Sequence, residues 1–452
     1  RRARSQAKEI TVMGFKDIIN KFKKDPSGRN EEVKKHYLTG KEIRVIAKAN
    51  AKEMRRLERA KRRSVPESEY KSEMKDANNI LEVENLHSYF FTDQGVVKAV
   101  NGVTFSIPVN STVGVVGESG CGKSVTAMSV MRLLQGPSGQ IVEGSIRFKA
   151  YDYKTDADGN PVPTYETDDK GEIVYETITN ASGKEIKKPK IKEYEKVEAV
   201  YDIAKMPIKE MYRLRGRQIS MVFQEPMTSL NPVFTIGNQL DEVTLLHIPG
   251  ATKKSAKERS VKMLDMVGIA MPERVYASYP HELSGGMRQR VMIAMALACE
   301  PRLIIADEPT TALDVTIQAQ ILDLFNDLKK KINGSILLIT HDLGVIAEMA
   351  DYVVVMYAGR IIEQGTALEI FRNPLHPYTQ GLQKSKPTMN SSSDTLYNIP
   401  GNVPNPINMP DYCYFKERCR SCIGKCSGEY PCMHQVSPTH FVACHLYESK
   451  ED

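Results

Sequence analysis

The octapeptide GESGCGKS at residues 117–124 restricts the possible fold of this chain more than any other feature. It matches the pattern G-x-x-x-x-G-K-[ST], follows the apolar segment 111–116 and precedes apolar residues at helical spacing. Glycines allow the backbone to wrap a phosphate chain with its N–H groups, and the N-terminus of the following helix adds positive charge. The motif predicts a strand, a phosphate-binding loop (P-loop) and a helix that together bind a nucleoside triphosphate.

The P-loop and the residue after it supply the candidate nucleotide contacts. We expect Lys123 to direct its charge toward the β- and γ-phosphates, and Ser124 to ligate Mg²⁺ through its hydroxyl. The complete candidate set is Gly117, Glu118, Ser119, Gly120, Cys121, Gly122, Lys123, Ser124 and Val125.

A second apolar segment leads directly into two acidic residues. Residues 303–306 read LIIA and are followed by Asp307 and Glu308. Such a short apolar run is typical of a buried parallel strand, and carboxylates at its end suit phosphoryl-transfer chemistry. We expect Asp307 to hold Mg²⁺ through water and Glu308 to polarise the attacking water as the general base.

A third candidate element is the sequence SGG at residues 284–286, which precedes a long stretch of helical spacing. Ser284, Gly285 and Gly286 place a helix N-terminus behind a backbone without bulky side chains, which favours the binding of an anion. One chain therefore offers one P-loop and one separate SGG site.

The sequence pattern divides the chain into three parts. Residues 1–78 predict a basic helical extension, residues 79–365 alternate strands with helices and predict an α/β domain, and residues 366–452 form a small cysteine-rich region. Within the α/β domain, residues 150–208 predict an inserted β-hairpin or small meander, and residues from about 225 to 300 predict a helical subdomain.

The charge is unevenly distributed along the chain. Residues 1–80 hold 23 Lys and Arg against 12 Asp and Glu, although the whole chain has a net charge of only +6. Apolar residues between 15 and 22 share one helix face, and a second basic helix is predicted from about 41 to 61. A basic amphipathic helix can lie on an anionic membrane or an acidic partner, or it can be a solvated arm.

The longest apolar run, residues 291–299, is less than half the length of a membrane span. The sequence therefore predicts no transmembrane helix, and any contact with a membrane is expected to be peripheral.

Together these motifs resemble the ATPase subunits of ABC transporters. The segment LSGGMRQR is similar to the signature of that family and TALD to its D-loop, which ends here in Asp314. The resemblance covers about residues 81–365. It implies a RecA-like core with antiparallel β and helical subdomains. It also implies that ATP lies between Lys123 of one ATPase and the SGG site of another.

The resemblance implies roles for three further residues. Gln224 is similar to the Q-loop glutamine, which senses Mg²⁺ and passes the signal to membrane subunits. His341 is similar to the switch histidine, which contacts the γ-phosphate or the attacking water. Phe90 stands where the family stacks an aromatic ring on adenine, and its neighbour Tyr89 is the alternative.

A narrower resemblance links the chain to the peptide-importer branch, above all to the D-type ATPases of oligopeptide and dipeptide permeases. The motifs that carry it are FQEPMTSLNP, ALDVTIQAQIL, HPYT and NIPGNVPN. It implies an ATPase at the cytoplasmic face of the cell membrane that energises oligopeptide uptake. The implied partners are an F-type ATPase, two transmembrane permease subunits and an extracytoplasmic peptide-binding protein, without direct contact to nucleic acid. Import of dipeptides or nickel, and a soluble ABC ATPase acting on nucleic acid or ribosomes, are the alternatives.

Six of the eight cysteines lie between residues 413 and 444. Thiols concentrated in a short, loop-rich segment are typical of a metal site. The spacing C-x₂-C-x₃-C at Cys419, Cys422 and Cys426 suits iron–sulfur or zinc. A redox- or metal-sensing regulator that uses these thiols is a further alternative for the function.

The resemblance implies a ligand set within this segment, because D-type ATPases in part carry a 4Fe–4S cluster there. Their pattern matches Cys413, Cys419, Cys426 and Cys444. Cys422 and Cys432 are additional to that pattern and leave the ligand choice open, and zinc on four of the six thiols is the runner-up.

Overall fold

The computed structural model describes most of the chain. The described residues are 38–158, 160–168, 170–179, 185–225, 229–311, 313–385, 397–409 and 411–448. The chain forms two compact units, residues 1–44 and residues 45–452. The helix face predicted between residues 15 and 22 lies outside the described residues, and the second basic helix runs from Gly40 to Arg62.

The described part alternates strands and helices through most of its length. The strands are β1 (Asn79–Thr92), β2 (Gly95–Pro108), β3 (Thr112–Val116), β4 (Gly139–Tyr153), β5 (Pro163–Tyr165), β6 (Tyr175–Thr179), β7 (Glu185–Pro189), β8 (Ile191–Tyr194), β9 (Lys196–Asp202), β10 (Ile219–Val222), β11 (Leu303–Asp307), β12 (Ser335–Ile339), β13 (Tyr352–Tyr357), β14 (Arg360–Thr366), β15 (His434–Gln435) and β16 (Phe441–Val442). The α-helices are α1 (Gly40–Arg62), α2 (Lys123–Val130), α3 (Ile236–His247), α4 (Lys253–Met266), α5 (Pro272–Ala277), α6 (Gly285–Leu297), α7 (Val315–Ile332), α8 (Leu343–Met349), α9 (Ala367–Arg372) and α10 (Pro377–Lys384).

The main sheet has the strand order β10-β11-β12-β3-β13-β14-β16-β15. Its first five strands are parallel, and every residue of β3, β11 and β12 is buried. Alternate residues of β11 belong to two different hydrophobic cores, because successive side chains point to opposite faces of a sheet. The sheet is thus covered on both sides, as the apolar composition of these strands predicts.

The carboxyl ends of the parallel strands meet at one edge of this sheet. Val222 pairs with Ala306, and Asp307 pairs with Ile339. The P-loop follows β3 at the same edge. Ligands of open α/β sheets bind outside the carboxyl ends of the strands. The register therefore brings the predicted catalytic residues to one place, and the predicted α/β architecture is confirmed.

A second, antiparallel sheet has the order β2-β1-β4-β9 and covers one face of the main sheet. The predicted insert begins inside β4 and returns through β9. Between them, β5 pairs with β8 and β6 pairs with β7, so that these pairs are nested within one another. The segment is a hairpin built of successive nested pairs.

The helices α3, α4, α5 and α6 lie within residues 236–297, inside the segment predicted to be helical. Their apolar residues, including Ile236, Leu240 and Leu264, belong to the core on the other face of the main sheet. Among the described residues, every helix is too short or too polar to span a bilayer.

The cysteine-rich tail is joined to the main sheet through the pairing of β16 with β14. The Glu363 carboxylate in β14 is fully buried and accepts hydrogen bonds from the backbone N–H groups of Leu375 and His376. Its Oε1 also lies 2.9 Å from His440 Nε2. These contacts hold the tail on the main sheet, although its described residues form mostly loops and short turns.

Candidate nucleotide-binding and hydrolysis site

Two glycines of the P-loop occupy positions that other residues cannot fill. Gly117 has φ +153°, and a Cβ there would lie 2.2 Å from the Met356 carbonyl oxygen. Gly122 has φ +103°, and a Cβ there would lie 2.3 Å from the Ala99 carbonyl oxygen. The loop therefore packs directly against neighbouring backbone, which fixes its curvature around the space where phosphates would bind.

Lys123 is the first residue of α2, and its side chain turns back into the P-loop. Its Nζ donates hydrogen bonds to the carbonyl oxygens of Gly117 at 2.8 Å and Glu118 at 3.2 Å. The residue is only 5 % exposed. A nearly buried ammonium group interacts strongly with anions because water screens its charge poorly.

The two residues predicted to hold Mg²⁺ at the strand ends contact each other. Ser124 Oγ donates a hydrogen bond of 3.0 Å to Asp307 Oδ1. Burial raises the pKa of Asp307, the Ser124 bond lowers it, and the nearby Glu308 carboxylate raises it again. A hydroxyl beside a buried carboxylate is an oxygen donor set that fits Mg²⁺, and binding of the cation would relieve the cost of burying this charge.

The Glu308 carboxylate contacts side chains that come from separate segments of the sequence. Its Oε2 accepts a 2.9 Å hydrogen bond from Gln224 Nε2, and His341 Nδ1 lies 3.3 Å from its Oε1. Glu308 has φ +47°, a strained conformation for this residue type that often marks a functional site. The structure thus brings together three of the predicted site residues.

Thr311 is a member of this group that the sequence analysis missed. Its Oγ1 donates a 3.0 Å hydrogen bond to Glu308 Oε2. The sequence feature that could have identified Thr311 is its hydroxyl three positions after Glu308, because a turn can bring two side chains at this spacing into contact. Thr311 and Gln224 together orient the carboxylate.

The SGG site lies at the N-terminus of α6. Ser284 caps this helix by accepting a hydrogen bond from the backbone N–H of Met287. A Cβ on Gly285 would meet only open space, so the approach to the helix end is free. Within the described residues, no hydrogen bond or ion pair joins the SGG site to the P-loop of the same chain.

Asp314 of the predicted D-loop caps α7 by accepting a 2.9 Å hydrogen bond from the backbone N–H of Ile317. The Ile317 side chain in turn faces Gly286, where a Cβ would lie 3.1 Å from its Cγ2. The D-loop and the SGG site are therefore neighbours at the N-termini of two helices.

The two candidate adenine contacts differ in their surroundings on β1. Phe90 is half-buried, and its ring covers Gly139, where a Cβ would lie 2.9 Å from the ring Cε1. The Tyr89 hydroxyl donates to Asn101 Oδ1 at 2.9 Å, and burial raises the pKa of Tyr89 to about 12. Because Tyr89 is engaged within the sheet, Phe90 remains our predicted adenine contact.

The cysteines of the tail are all free and form two groups. Cys422 and Cys432 are exposed. The buried or half-buried group comprises Cys413, Cys419, Cys426 and Cys444. These four are the ones that the family resemblance selects.

Burial raises the pKa values of three thiols of this group, Cys413, Cys419 and Cys444. Burial raises the pKa of Cys413 to about 12, with further contributions from Cys426, Cys444 and Cys419. Burial likewise raises the pKa of Cys444 to about 11, with contributions from Cys419 and Cys426. Burial also raises the pKa of Cys419, with smaller contributions from Cys422 and Cys426, and the exposed Cys422 is hydrogen-bonded to Cys426. Among the described residues, however, no three His, Cys, Asp or Glu side chains are arranged to hold a single metal ion.

The geometry at the strand ends defines a P-loop nucleotide-binding protein. Residues 100–311 match the family described as ABC transporter, and residues 362–426 match the one described as oligopeptide/dipeptide transporter, C-terminal region. The chain belongs to the ABC transporter family of ATP-binding proteins, as the sequence motifs predicted.

The curated relatives of the chain cover most of its length. The oligopeptide transport ATP-binding protein AppD of Bacillus subtilis (strain 168) is 44% identical over 82% of this chain and 98% of its own. The dipeptide transport ATP-binding protein DppD of the same organism is 42% identical over 82% of this chain and 96% of its own. Among solved structures, a dimeric post-hydrolysis form of the ATP-binding cassette MJ0796 with ADP and Pi aligns at 22% identity. It covers 64% of this chain and 98% of its own, with a TM-score of 0.47.

Proposed function

We propose that this chain binds and hydrolyses ATP to energise the import of oligopeptides through separate membrane subunits. The observation that carries the proposal is the Glu308 carboxylate held between Gln224, Thr311 and His341, beside the Ser124–Asp307 pair. The named activities of the curated relatives favour oligopeptides as the cargo and leave dipeptides as the alternative.

In this proposal, each part of the site has one task. Lys123 and the P-loop N–H groups would bind the phosphates of ATP, and Ser124 and Asp307 would hold Mg²⁺, with the Gln224 side-chain oxygen as a further donor. When bound, Mg²⁺ neutralises charge on the β- and γ-phosphates. Glu308 would accept a proton from the attacking water, and the hydrogen bonds from Gln224 and Thr311 fix the orientation of its carboxylate.

His341 completes the arrangement from the end of β12. Its Nδ1 lies 3.3 Å from Glu308 Oε1, so the imidazole can donate a hydrogen bond to the carboxylate or to the γ-phosphate. Gln224 begins the segment that runs to Thr235, the N-cap of α3. Because Gln224 bonds directly to Glu308, a movement of this segment against the membrane subunits would also move the general base. We propose this bond as the link between hydrolysis and transport.

We propose that a complete ATP site requires a second ATPase chain, because among the described residues no hydrogen bond or ion pair joins the SGG site to the P-loop of this chain. We propose an F-type ATPase as that partner, two permease subunits at the cytoplasmic face of the membrane, and a peptide-binding protein outside.

This proposal predicts that the isolated chain hydrolyses ATP slowly. Addition of the partner ATPase and the permease subunits should raise kcat at least about tenfold, because the second chain supplies the missing anion contacts. Steady-state phosphate release at low protein concentration, with and without the partners, measures the effect. Equal activity of the isolated monomer and the assembly would contradict the shared site.

For the tail, we propose that Cys413, Cys419, Cys426 and Cys444 hold a 4Fe–4S cluster. A single zinc ion would draw its four sulfurs to about 3.8 Å from one another, since each Zn–S bond is about 2.3 Å. A four-iron cluster keeps its thiolates further apart, because each binds a different iron. The proposal is supported by the match of these four cysteines to the pattern of the D-type ATPases and by their lower exposure than Cys422 and Cys432.

The cluster would stabilise a tail that is rich in loops, because metal binding can supply folding free energy. Anaerobically purified protein should be brown and hold about four irons and four sulfides per chain. Cys426→Ser should lose the iron, whereas Cys432→Ser, at an exposed thiol outside the set, should keep it. Colourless protein with stoichiometric zinc would refute the cluster, and a folded tail without any metal would refute a metal site altogether.

A further inference from the structure

The cysteine-rich tail reaches the P-loop through Arg418. Its Nη1 donates a 2.7 Å hydrogen bond to Glu118 Oε2, and its Nη2 donates a 3.0 Å hydrogen bond to Glu118 Oε1. The two residues are 300 positions apart in the chain. Two parallel bonds between a guanidinium and a carboxylate are among the strong, geometrically specific contacts in proteins.

Arg418 is itself held firmly in place. Only 6% of its side chain is exposed, and its Nε donates to the Pro400 carbonyl oxygen at 2.9 Å. Its Nη1 also lies 3.3 Å from the Tyr357 hydroxyl, and its Nη2 lies 3.3 Å from the Ile399 carbonyl oxygen. Since an arginine stays protonated in proteins, Arg418 brings a full positive charge to Glu118.

The backbone of Glu118 also contacts a residue that packs against the tail. Its backbone N–H donates a 2.8 Å hydrogen bond to the hydroxyl of Tyr378, a fully buried residue of α10. The Tyr378 ring packs against Tyr357 and against Phe415 of the tail, with ring centroids 4.8 Å and 5.5 Å apart. The Glu118 carbonyl oxygen accepts a hydrogen bond from Lys123 Nζ. Glu118 is therefore bonded both to the tail and to the lysine of the P-loop.

Glu118 places a negative side chain in a loop whose task is to bind a polyanion. Its carboxylate is only partly exposed, with 26% of the side chain accessible to solvent. Without a cation beside it, this carboxylate would repel the phosphates of ATP, because charges in partly buried sites are weakly screened.

We propose that Arg418 is a positioning residue of the ATP site, which neutralises Glu118 and holds the P-loop in the form that accepts ATP. The inference rests on the ATP-binding function proposed above. It makes the cysteine-rich tail a part of the ATPase, and it does not depend on which metal the tail holds.

The test compares KM for ATP and kcat in the reconstituted transporter with wild-type chain, Arg418→Gln, and the double variant Glu118→Gln/Arg418→Gln. Arg418→Gln should raise KM roughly tenfold and change kcat less than about twofold, because an unpaired Glu118 opposes ATP binding. The double variant should return KM to within about threefold of wild type, because the repelling charge is gone. The increase in Arg418→Gln should shrink as salt is raised from low to physiological concentration.

Two further variants separate charge from folding. Arg418→Lys keeps the charge and loses one of the two hydrogen bonds, so its KM should rise only about two- to threefold. Arg420→Gln, at an exposed arginine two residues further on, should leave KM unchanged. Far-ultraviolet circular dichroism of each variant provides the check on folding.

An unchanged KM in Arg418→Gln would overturn the proposal. So would a raised KM that the double variant does not restore, because Arg418 would then act only by supporting the tail. A wild-type assembly that binds no ATP would instead refute the ATP site itself, so the two failures are distinguishable.

Discussion

Replacement of Glu308 by glutamine is expected to lower kcat for ATP hydrolysis by about 100-fold or more in the assembled transporter. Glutamine has nearly the same shape as glutamate and still accepts from Gln224 and Thr311 through its carbonyl oxygen, so the site should keep its form. It cannot accept a proton from the attacking water. ATP binding should therefore persist within about threefold of wild type, because Lys123 and the P-loop are untouched.

The variant should also accumulate the closed pair of ATPase chains, since reopening requires hydrolysis. Phosphate release gives kcat, equilibrium binding of a fluorescent ATP analogue gives affinity, and cross-linking between the two chains with ATP gives the closed fraction. Glu348→Gln, at an exposed glutamate on α8, is the matched control and should behave as wild type. Hydrolysis at the wild-type rate by Glu308→Gln would remove Glu308 from its role as general base.

The predictions that succeeded rest on short stretches of sequence. The P-loop pattern and the apolar residues before Asp307 each specify a strand end locally, and parallel strands must place such ends at one edge of a sheet. The proximity of Ser124 to Asp307, 183 positions apart, follows from that rule once both strands are recognised. Sequence alone was sufficient for this part of the fold, and the roles assigned to the residues at these strand ends stay predictions.

Other features depend on contacts that no local pattern encodes. In the sequence, Glu118 is one more residue of the P-loop, and no neighbouring residue indicates a partner 300 positions away. The nested strand pairs of the insert depend on which residues pair between strands. The alternation of apolar and polar residues within a single strand does not specify this register. The Thr311–Glu308 contact could have been predicted from the spacing of the two residues. A hydroxyl three residues from a carboxylate is so common, however, that this spacing alone does not identify a site residue.

The tail illustrates both cases. Its cysteine spacing identified a metal site as a hypothesis, yet spacing alone does not distinguish Cys422 from Cys426. Burial separates them in the structure, because Cys422 is exposed and Cys426 is buried. This difference in burial favours Cys426 over Cys422 in the ligand set that we propose.

Replacement of Lys123 by alanine is expected to weaken ATP binding itself, by roughly 100-fold, which corresponds to about 2.7 kcal/mol. The ammonium group is nearly buried and is the full positive charge that the P-loop itself contributes to the phosphates. A unit charge about 4 Å from an anion contributes up to about 4 kcal/mol at an effective dielectric constant of 20, and desolvation offsets part of that gain. The expected loss lies within this range.

Equilibrium titration with the same fluorescent ATP analogue measures this loss, and Lys330→Ala, at an exposed lysine on α7, is the control. Lys123→Ala also frees the carbonyl oxygens of Gly117 and Glu118, so thermal denaturation without nucleotide must show that the variant is folded. If folded Lys123→Ala bound ATP with the affinity of wild type, the Lys123 ammonium group would stabilise the P-loop and would not contribute to nucleotide binding. A loss of binding here, with binding retained in Glu308→Gln, would separate the residue that binds the phosphates from the one that activates water.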